Sequence, residues 1–314
     1  MQQMPDEPTY LEQALGSLRT AETHISTEYQ DDLDITIATI TKTNPRFAFM
    51  PVPGRIKLET KADGVRAFYE NSRAVFQPAA LRIRHQLTTD WYYFLEGVAS
   101  RFGREDGKEY TINSLTLFPK ADDGIVGEFL WERYEVPDPS EDPAMFDPSV
   151  APGARTDLPL RAVRSLRVHD RLVQALRAND PAGVVADFAD DFLLGARSYL
   201  PDGGPMVTGE GREAAAAYWR AFFAAYRIEE LSVLNRLTGE WYVFAEHAVT
   251  VTRRDDPAAP AEQFRTASLY PIVGAGRVQG ELGYGTDVGP ASTREGGNRG
   301  IAFYKREDHI DPLP

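Results

Sequence analysis

Apolar residues along this chain recur first at helical spacing and then at strand spacing, and the whole succession occurs twice. In the first half, the predicted helices cover residues 10–24 and 33–40 and a segment spaced on Val65, Phe68 and Tyr69, and the predicted strands cover residues 81–87, 92–102, 110–118 and 125–131. A short strand and a Pro/Gly turn precede the third helix. Helices followed by an antiparallel sheet are typical of an α+β fold with the helices on one sheet face.

The second half repeats this order of elements. Its predicted helices cover residues 160–178 and 182–188 and a segment spaced on Ala217, Tyr218, Ala221 and Phe222, and its predicted strands cover residues 231–237, 241–252, 264–272 and 278–284. We therefore expect two tandem cone-shaped domains, each a curved antiparallel sheet wrapped over N-terminal helices, as in a cystatin-like roll. Such a sheet leaves an apolar pocket between itself and its helices.

The repetition extends to the residues themselves. At one ungapped offset of 150 positions, WYYFLE at Trp91–Glu96 returns as WYVFAE at Trp241–Glu246, Phe49–Gly54 returns as Tyr199–Gly204, and Phe68-Tyr69 returns as Tyr218-Trp219. A period of this length is a whole domain, which is far longer than a solenoid repeat. The comparison of the two copies therefore shows which polar residues the fold does not need.

Composition changes along the chain indicate the domain boundaries. We predict a first domain at 1–136 and a second at 160–288, joined by the linker 137–159, which is rich in Pro, Asp, Ser and Gly. The tail 289–314 is expected to be disordered or strapped over a neighbour through Ile301, Phe303 and Tyr304. A length of 314 residues suits two domains of this size.

Charge and composition narrow the class of protein. The net charge is −13 and the pI about 4.9, which argues against nucleic acid or an anionic membrane as a partner. The chain has no cysteine, so disulfides and Cys-ligated zinc are excluded. We recognise neither a signal peptide nor an apolar run long enough to span a membrane, and we expect a cytoplasmic protein.

Short motifs at the helix starts resemble the nuclear-transport-factor-2-like superfamily. The motifs are Asp32–Asp34 and Asn179-Asp180-Pro181 at the second helix, Asp191-Phe192-Leu193 at the first strand, Ala62–Tyr69 after the Pro/Gly turn, and Gly211-Arg212-Glu213 at its counterpart. This superfamily includes ketosteroid isomerase, scytalone dehydratase, SnoaL-like polyketide cyclases, limonene epoxide hydrolase and bile-acid dehydratases. The resemblance covers both copies but neither the linker nor the tail, and the fold hosts many chemistries.

The resemblance implies pocket positions on the first helix and the first long strand. In this chain they hold His24, Tyr29 and His85, which we predict to be catalytic. Glu28 shares a helix face with His24. We expect Glu28, Met50, Tyr92 and Phe94 to bind the substrate. Met50 occupies the place of the general base of ketosteroid isomerase, so that isomerisation by that arrangement is not expected.

The second copy lacks these groups. Its matching positions hold Leu172, Arg177 and Asn235, so the fold does not require histidine there. Glu96 recurs as Glu246, which favours a structural role for both. We therefore expect an active first pocket and a degenerate second one.

These features predict a lyase or dehydratase that works by general acid–base chemistry on an apolar aromatic or polycyclic small molecule, without cofactor or metal. One alternative is a non-catalytic small-molecule-binding or scaffold module. Another is an epoxide hydrolase or isomerase of the same fold. We expect the two copies to pack as an intramolecular pseudo-dimer, and a homo-oligomer stays open.

Overall fold

The chain forms two units. The computed structural model describes residues 9–42, 45–52, 57–59, 61–121, 123–134, 158–197, 206–274, 276–287, 301–303 and 308–310. One unit comprises residues 1–135 and 295–314, and the other comprises residues 136–294. The division at 135 falls beside the predicted end of the first domain. The end of the chain belongs to the first unit.

Each unit begins with helices and continues into a sheet. The first contains α1 (Tyr10–Tyr29), α2 (Leu33–Ala38), β1 (Arg46–Val52), β2 (Lys57–Glu59), α3 (Ala62–Val75), β3 (Phe76–Thr88), β4 (Tyr92–Gly103), β5 (Glu109–Ala121), β6 (Gly124–Ile125) and β7 (Gly127–Tyr134). The second contains α4 (Leu158–Ala178), α5 (Pro181–Val184), β8 (Phe188–Arg197), β9 (Met206–Glu210), α6 (Arg212–Ala225), β10 (Tyr226–Thr238), β11 (Tyr242–Arg253), β12 (Glu262–Val273) and β13 (Arg277–Asp287). The predicted α+β class and tandem organisation are confirmed.

The two sheets share one strand order. The first runs β3-β4-β5-β7-β1-β2 and the second runs β10-β11-β12-β13-β8-β9. Neighbours along the chain pair antiparallel, but β1 lies parallel to β7 and β8 lies parallel to β13. The sheets are therefore antiparallel, as the sequence predicted, except for this one parallel pair in each. In each unit the first strand joins the sheet beside the last one and runs in the same direction as it.

The tail adds short strands to the first sheet. Strands β14 (Ile301–Phe303) and β15 (Asp308–Ile310) both pair antiparallel with β3. Of the residues expected to strap the tail down, Tyr304 lies outside the described part of the chain. The tail thus supplies backbone partners to an edge strand, which would otherwise present unpaired peptide groups.

A left-handed residue marks the same helix end in both units. Asp31 follows α1 with φ 62°, and Asn179 follows α4 with φ 55°. The next residues, Asp32 and Asp180, cap the following short helices with their side chains. Asp and Asn tolerate this backbone conformation better than most residues. The turn therefore aligns α1 with α4 at an offset of 148 (32 and 180).

Strand register relates the two sheets residue by residue. It shows that Glu128 of β7 and Glu281 of β13 occupy the same place. The pairs that establish this are Tyr92 with Pro119 and Leu117 with Phe129 in the first sheet, and Tyr242 with Pro271 and Leu269 with Leu282 in the second.

Each core lies between the helices and one face of the sheet. In β4, Tyr93 and Leu95 belong to the first core, so Tyr92 and Phe94 point to the opposite face. Apolar side chains such as Tyr93, which is fully buried, stabilise the unit by roughly 1.5–3 kcal/mol each. Within the described part of the chain, no helix has the length and the apolar character that crossing a bilayer demands.

Candidate functional site

The first unit contains a cavity of about 590 Å³ between α3, the end of α1 and the sheet. Its size suits a small organic molecule, since such sites measure roughly 300–1,000 Å³. The residues that line it are Glu28, Phe49, Lys57, Leu58, Glu59, Gly64, Ala67, Phe68, Tyr69, Asn71, Ser72, Val75, Phe76, Arg101, Glu128 and Leu130. Tyr69 and Glu128 are buried and form the inner end, whereas Lys57 is exposed and lies at the mouth.

A chain of hydrogen bonds connects the inner end of this cavity to the core. The Tyr69 hydroxyl lies 2.7 Å from Glu128 Oε2 and 2.9 Å from His24 Nε2. These three side chains come from α1, α3 and β7, and all are at least nine-tenths buried. The chain can therefore pass a proton between the cavity and an interior imidazole.

The hydrogen bonds of His24 determine its tautomer. The Thr39 hydroxyl donates to the Thr36 carbonyl at 2.6 Å, so its oxygen accepts from His24 Nδ1 at 2.7 Å. The ring proton therefore lies on Nδ1, and Nε2 offers a lone pair to Tyr69. Burial lowers the pKa of His24 to about 4, so the imidazole is neutral at pH 7.

This tautomer determines where the remaining protons lie. Tyr69 has one hydroxyl hydrogen, which it donates to neutral His24. The Tyr69 hydroxyl donates to Glu128 Oε2 when that carboxylate is ionised. When its one hydrogen is donated to His24 instead, Glu128 carries a proton and donates it to the Tyr69 oxygen. Burial, reinforced by the charge of Glu28, raises the pKa of Glu128 to about 8, which agrees with this order. Burial likewise raises the pKa of Tyr69, so the phenol stays protonated.

Glu28 is a second carboxyl group at the inner end of the cavity. The nearest side-chain ligand atoms of His24, Glu28 and Glu128 all lie within 4.8 Å of one another. Burial raises the pKa of Glu28, and the charges of Arg101 and Arg73 oppose that rise. Two carboxyl groups this close do not ionise together readily. With the arginines beside Glu28, we assign the negative charge to Glu28 and the proton to Glu128.

Both arginines are held by other groups. Arg101 donates twice to Glu132, at 3.3 Å and at a shorter distance. Arg73 pairs with Asp31 at 3.0 Å and donates to the Glu28 carbonyl at 3.2 Å. Their positive charges therefore stay near Glu28 without a direct ion pair to its carboxylate.

The group His24, Glu28 and Glu128 also offers ligand atoms for one cation. Imidazole and carboxylate ligands suit a zinc-type divalent ion. The sequence predicted no metal site, and that stays a prediction. An ion bound to His24 Nε2 and Glu128 Oε2 would replace the hydrogen bonds that these two atoms make with the Tyr69 hydroxyl.

The second unit keeps one member of this group. Burial raises the pKa of Glu281 to about 8, as it does for Glu128. At the places of His24, Glu28 and Tyr69, however, stand Leu172, Leu176 and Trp219, all apolar and buried. The acid is therefore retained while its partners are not.

Other polar groups surround Glu281. The Tyr270 hydroxyl lies 3.2 Å from Glu281 Oε1, and both border a cavity of about 20 Å³ together with His247. His247 stacks on His169 with ring centroids 5.3 Å apart. Burial lowers the pKa of His247 to about 4. A space of this size admits about one water molecule, so no organic substrate fits it in this conformation.

His85, the predicted acid–base residue, does not border the cavity of the first unit. A β-bulge between Ile83 and His85 breaks the alternation of β3, so His85 pairs with Glu96 on the sheet face away from the helices. Its Nδ1 lies 3.0 Å from Glu96 Oε2. In the second unit Asn235 donates to Glu246 at 2.6 Å in the same place. Both residues therefore satisfy a carboxylate within the sheet.

Several other predicted site residues also lie elsewhere. Tyr92 and Phe94 point away from the helices, one position out of phase with Tyr93. Met50 is fully buried and does not line the cavity, which receives its neighbour Phe49 instead. Tyr29 packs in the hydrophobic core. Burial raises the pKa of Tyr29 and the charges of Glu28 and Glu128 add to that rise, so Tyr29 lies near the site without lining the cavity. The structure thus brings His24 and Glu28 to one site, with Tyr29 behind them, and places Met50, His85, Tyr92 and Phe94 outside the cavity lining.

Sequence reasoning missed Tyr69, Arg101 and Glu128. A signal for Glu128 exists, since Gly127-Glu128-Phe129 returns as Gly280-Glu281-Leu282 at an offset of 153 (128 and 281). A single ungapped offset hides that match because loop lengths differ between the copies.

No protein-family model matches the chain, and no curated protein matches it. Solved structures do match. A ketosteroid isomerase-like protein from Erwinia carotovora atroseptica is 15% identical with a TM-score of 0.33, covering 41% of this chain and 98% of its own. An LEH-like epoxide hydrolase from M. tuberculosis is 16% identical with a TM-score of 0.31, covering 39% of this chain and 82% of its own.

A putative polyketide cyclase from Xanthomonas campestris pv. campestris is 17% identical with a TM-score of 0.32, covering 40% of this chain and 91% of its own. These similarities concern the fold. Each covers about two fifths of the chain.

Proposed function

We propose that the cavity of the first unit is an active site for general acid–base catalysis of an isomerase or lyase type. The observation that carries this proposal is the pair Glu28 and Glu128, one charged and one protonated, at the inner end of the cavity. Neighbouring carboxyl groups in unlike environments are a common source of one base and one acid. The buried chain through Tyr69 and His24 supports the acid.

The proposed reaction moves a single proton at each end. Glu28 takes a carbon-bound proton, and Glu128 donates its proton to an oxygen of the substrate. In a dehydration that oxygen leaves as water, and solvent then takes the proton from Glu28 and restores the one on Glu128. In an isomerisation Glu28 returns its proton to another carbon while Glu128 takes back the proton of the enol oxygen. As Glu128 becomes charged, the Tyr69 hydroxyl turns from His24 towards it and stabilises the carboxylate.

The walls of the cavity indicate the body of the substrate. Phe49, Phe68, Phe76 and Leu130 present apolar surface, and Phe49 and Phe68 meet edge to face at 5.5 Å. Aromatic walls favour flat apolar rings. We therefore propose that the substrate is a ring-bearing small molecule with an oxygen function. Of the reactions named above, dehydration is the one that the sequence favoured.

Exchange of carbon-bound hydrogen in 2-tetralone tests this function without knowledge of the natural substrate. In D₂O, the protein should accelerate deuterium uptake next to the ketone, followed by NMR. Glu28→Gln and Glu128→Gln should each lower the rate by roughly 10²–10⁴, as expected for loss of an acid–base group. Tyr69→Phe should lower it as well, because the carboxylate formed on Glu128 loses its hydrogen-bond donor. Glu281→Gln removes the equivalent acid of the second unit and should leave the rate unchanged.

Circular dichroism of each variant separates loss of activity from loss of fold. Exchange that survives in folded Glu28→Gln and Glu128→Gln would refute the proposal. Saturable binding of 2-tetralone with no exchange above buffer would favour a small-molecule-binding module instead.

A further inference from the structure

Glu59 of β2 packs against the first turn of α3 at Gly64, where a side chain would meet its carboxylate. A Cβ atom on Gly64 would lie 2.1 Å from Glu59 Oε2 and 2.8 Å from its Cδ. Real atoms do not approach so closely, so any side chain at residue 64 would displace the carboxylate. Both residues line the cavity.

In the second unit the small residue lies on the strand and the larger one on the helix. Phe47 pairs with both Glu59 and Glu128, just as Leu194 pairs with both Gly209 and Glu281, so Glu59 and Gly209 are equivalent. Ala214 stands at the place of Gly64, two residues into the matching helix. A Cβ on Gly209 would lie 2.9 Å from the Ala214 Cβ.

The fold therefore accepts either a glycine on the strand with alanine on the helix or a glutamate on the strand with glycine on the helix. Only the unit with the large cavity has the glutamate. Glu59 is thus not required by the fold, and the missing side chain at Gly64 makes room for its carboxylate.

The surroundings of Glu59 suit a cation. It is partly buried and makes no hydrogen bond or ion pair with any residue in the described part of the chain. Phe68 lies one helical turn from Gly64 on the same face of α3, and Phe49 meets its ring. The Lys57 ammonium already lies 5.9 Å from the Phe49 centroid, which shows that this ring accepts a positive charge.

The other charges of the cavity also favour a cation. Glu28 is negative at the inner end, and the Arg101 guanidinium is bound by Glu132. Lys57 opposes a second cation, but its side chain is exposed and its charge is screened by solvent. An anionic ligand would meet two carboxylates.

We propose that Glu59 determines specificity by binding an ammonium group on the ring body of the substrate, which makes the substrate class an aromatic or ring-fused amine. This rests on the proposed function only in placing the substrate in the cavity. An ammonium held between a carboxylate and aromatic faces gains a charge-assisted hydrogen bond and cation–π contacts. Its remaining ring surface then lies against Phe68 and Phe76.

Three probes with one ring body test the inference by isothermal titration calorimetry: 2-naphthylmethylamine, 2-naphthylmethanol and 2-naphthoic acid. With the wild-type protein at pH 7, the amine should bind roughly 10- to 100-fold more tightly than the alcohol, as expected for one charge-assisted contact. The naphthoate should bind most weakly.

Two variants locate the preference. Glu59→Gln should remove it while alcohol affinity stays within about threefold, because only the charge is lost. The double variant Glu59→Gly with Gly64→Ala copies the residue pair of the second unit, where the same fold accommodates it. This variant should also lose the preference for the amine. Ala214→Gly in the second unit is the matched control and should change no affinity.

Equal affinity of amine and alcohol for the wild type overturns the inference, and so does a preference that survives Glu59→Gln. Failure of all three probes to bind overturns it as well. Failure of the proposed function is distinct, because it would leave the amine preference intact while Glu28→Gln and Glu128→Gln leave deuterium exchange unchanged.

Discussion

At the residue scale, Glu128 and Glu281 show how neighbours give one side chain two roles. Both are buried, and burial raises the pKa of each to about 8. Glu128 borders a cavity of about 590 Å³ and contacts Tyr69, which continues to His24. Glu281 borders a space of about 20 Å³. A raised pKa marks both residues, but only one has both room for a substrate and a proton chain.

The pKa of Glu128 predicts the alkaline limb of the pH–rate profile. The active form carries the proton on Glu128, so the rate of deuterium exchange should fall as the pH rises through about 8. On the acid side the rate should fall when Glu28 gains a proton. His24 stays neutral above about pH 4 and should contribute no limb near neutrality. Measurement from pH 5 to 10 checks this.

Matched variants complete that experiment. His85→Asn, which copies Asn235, and Glu281→Gln should both leave the profile unchanged. A rate that keeps rising between pH 8 and 10 would show that Glu128 is not the acid.

Of the predicted site residues, the structure brings together the pair that helical spacing relates, and the roles of all of them stay predictions. Glu28 follows His24 by four positions, and helix geometry alone places both on one face of α1. The strand predictions for Met50, Tyr92 and Phe94 lie one position out of phase. In a strand such an error moves a side chain to the other face of the sheet.

At the element scale, the β-bulge decides which face a residue occupies. The bulge between Ile83 and His85 in β3 recurs between Val233 and Asn235 in β10. It moves His85 from the predicted core face to the face of Glu96. A period-two pattern contains no sign of the extra residue, because the bulge is defined by pairing with β4.

The buried polar residue Glu28 on helix α1 should lower the stability of the first unit relative to an apolar residue at the same place. Leu176 stands in the second unit where Glu28 stands in the first, so Glu28→Leu should raise the free energy of unfolding of the first unit by about 1–2 kcal/mol and abolish exchange. Neither arginine loses its partner, because Arg73 keeps Asp31 and Arg101 keeps Glu132. Urea unfolding followed by hydrogen exchange in each unit measures the change.

The reciprocal variant is the control. Leu176→Glu buries a carboxylate among apolar side chains of the second unit and should destabilise that unit by about 2–4 kcal/mol. A loss of stability in Glu28→Leu would mean that Glu28 has a structural role.

At the scale of the whole molecule, two short strands near the end of the chain complete the sheet of the first unit. Strands β14 and β15 pair with β3, so removal of residues 295–314 should expose the backbone of that edge. Amide hydrogens of residues 81–88 should then exchange at least about tenfold faster, measured by mass spectrometry. Residues 231–238 of β10 provide the internal comparison and should not change. Unaltered exchange at 81–88 would contradict this role of the tail.

The repeat also organises the molecule as two units. Their assembly as an intramolecular pseudo-dimer stays a prediction from the repeat. The offset between the copies is 148 in the turn that follows the first helix (32 and 180). It is 150 in β4 (96 and 246) and 153 at the buried glutamate (128 and 281). These differences lie in the loops, which tolerate insertions better than the elements they join.

The sequence by itself determined the tandem repeat, the α+β order of elements, the turn after α1 and the common face of His24 and Glu28. Each of these depends on local spacing or on direct repetition. Only the tertiary structure decided that Tyr69 and Glu128 meet His24 and that His85 does not. Those contacts join residues 45 and 59 positions apart, and they depend on burial, on strand register and on one bulge, none of which local periodicity encodes.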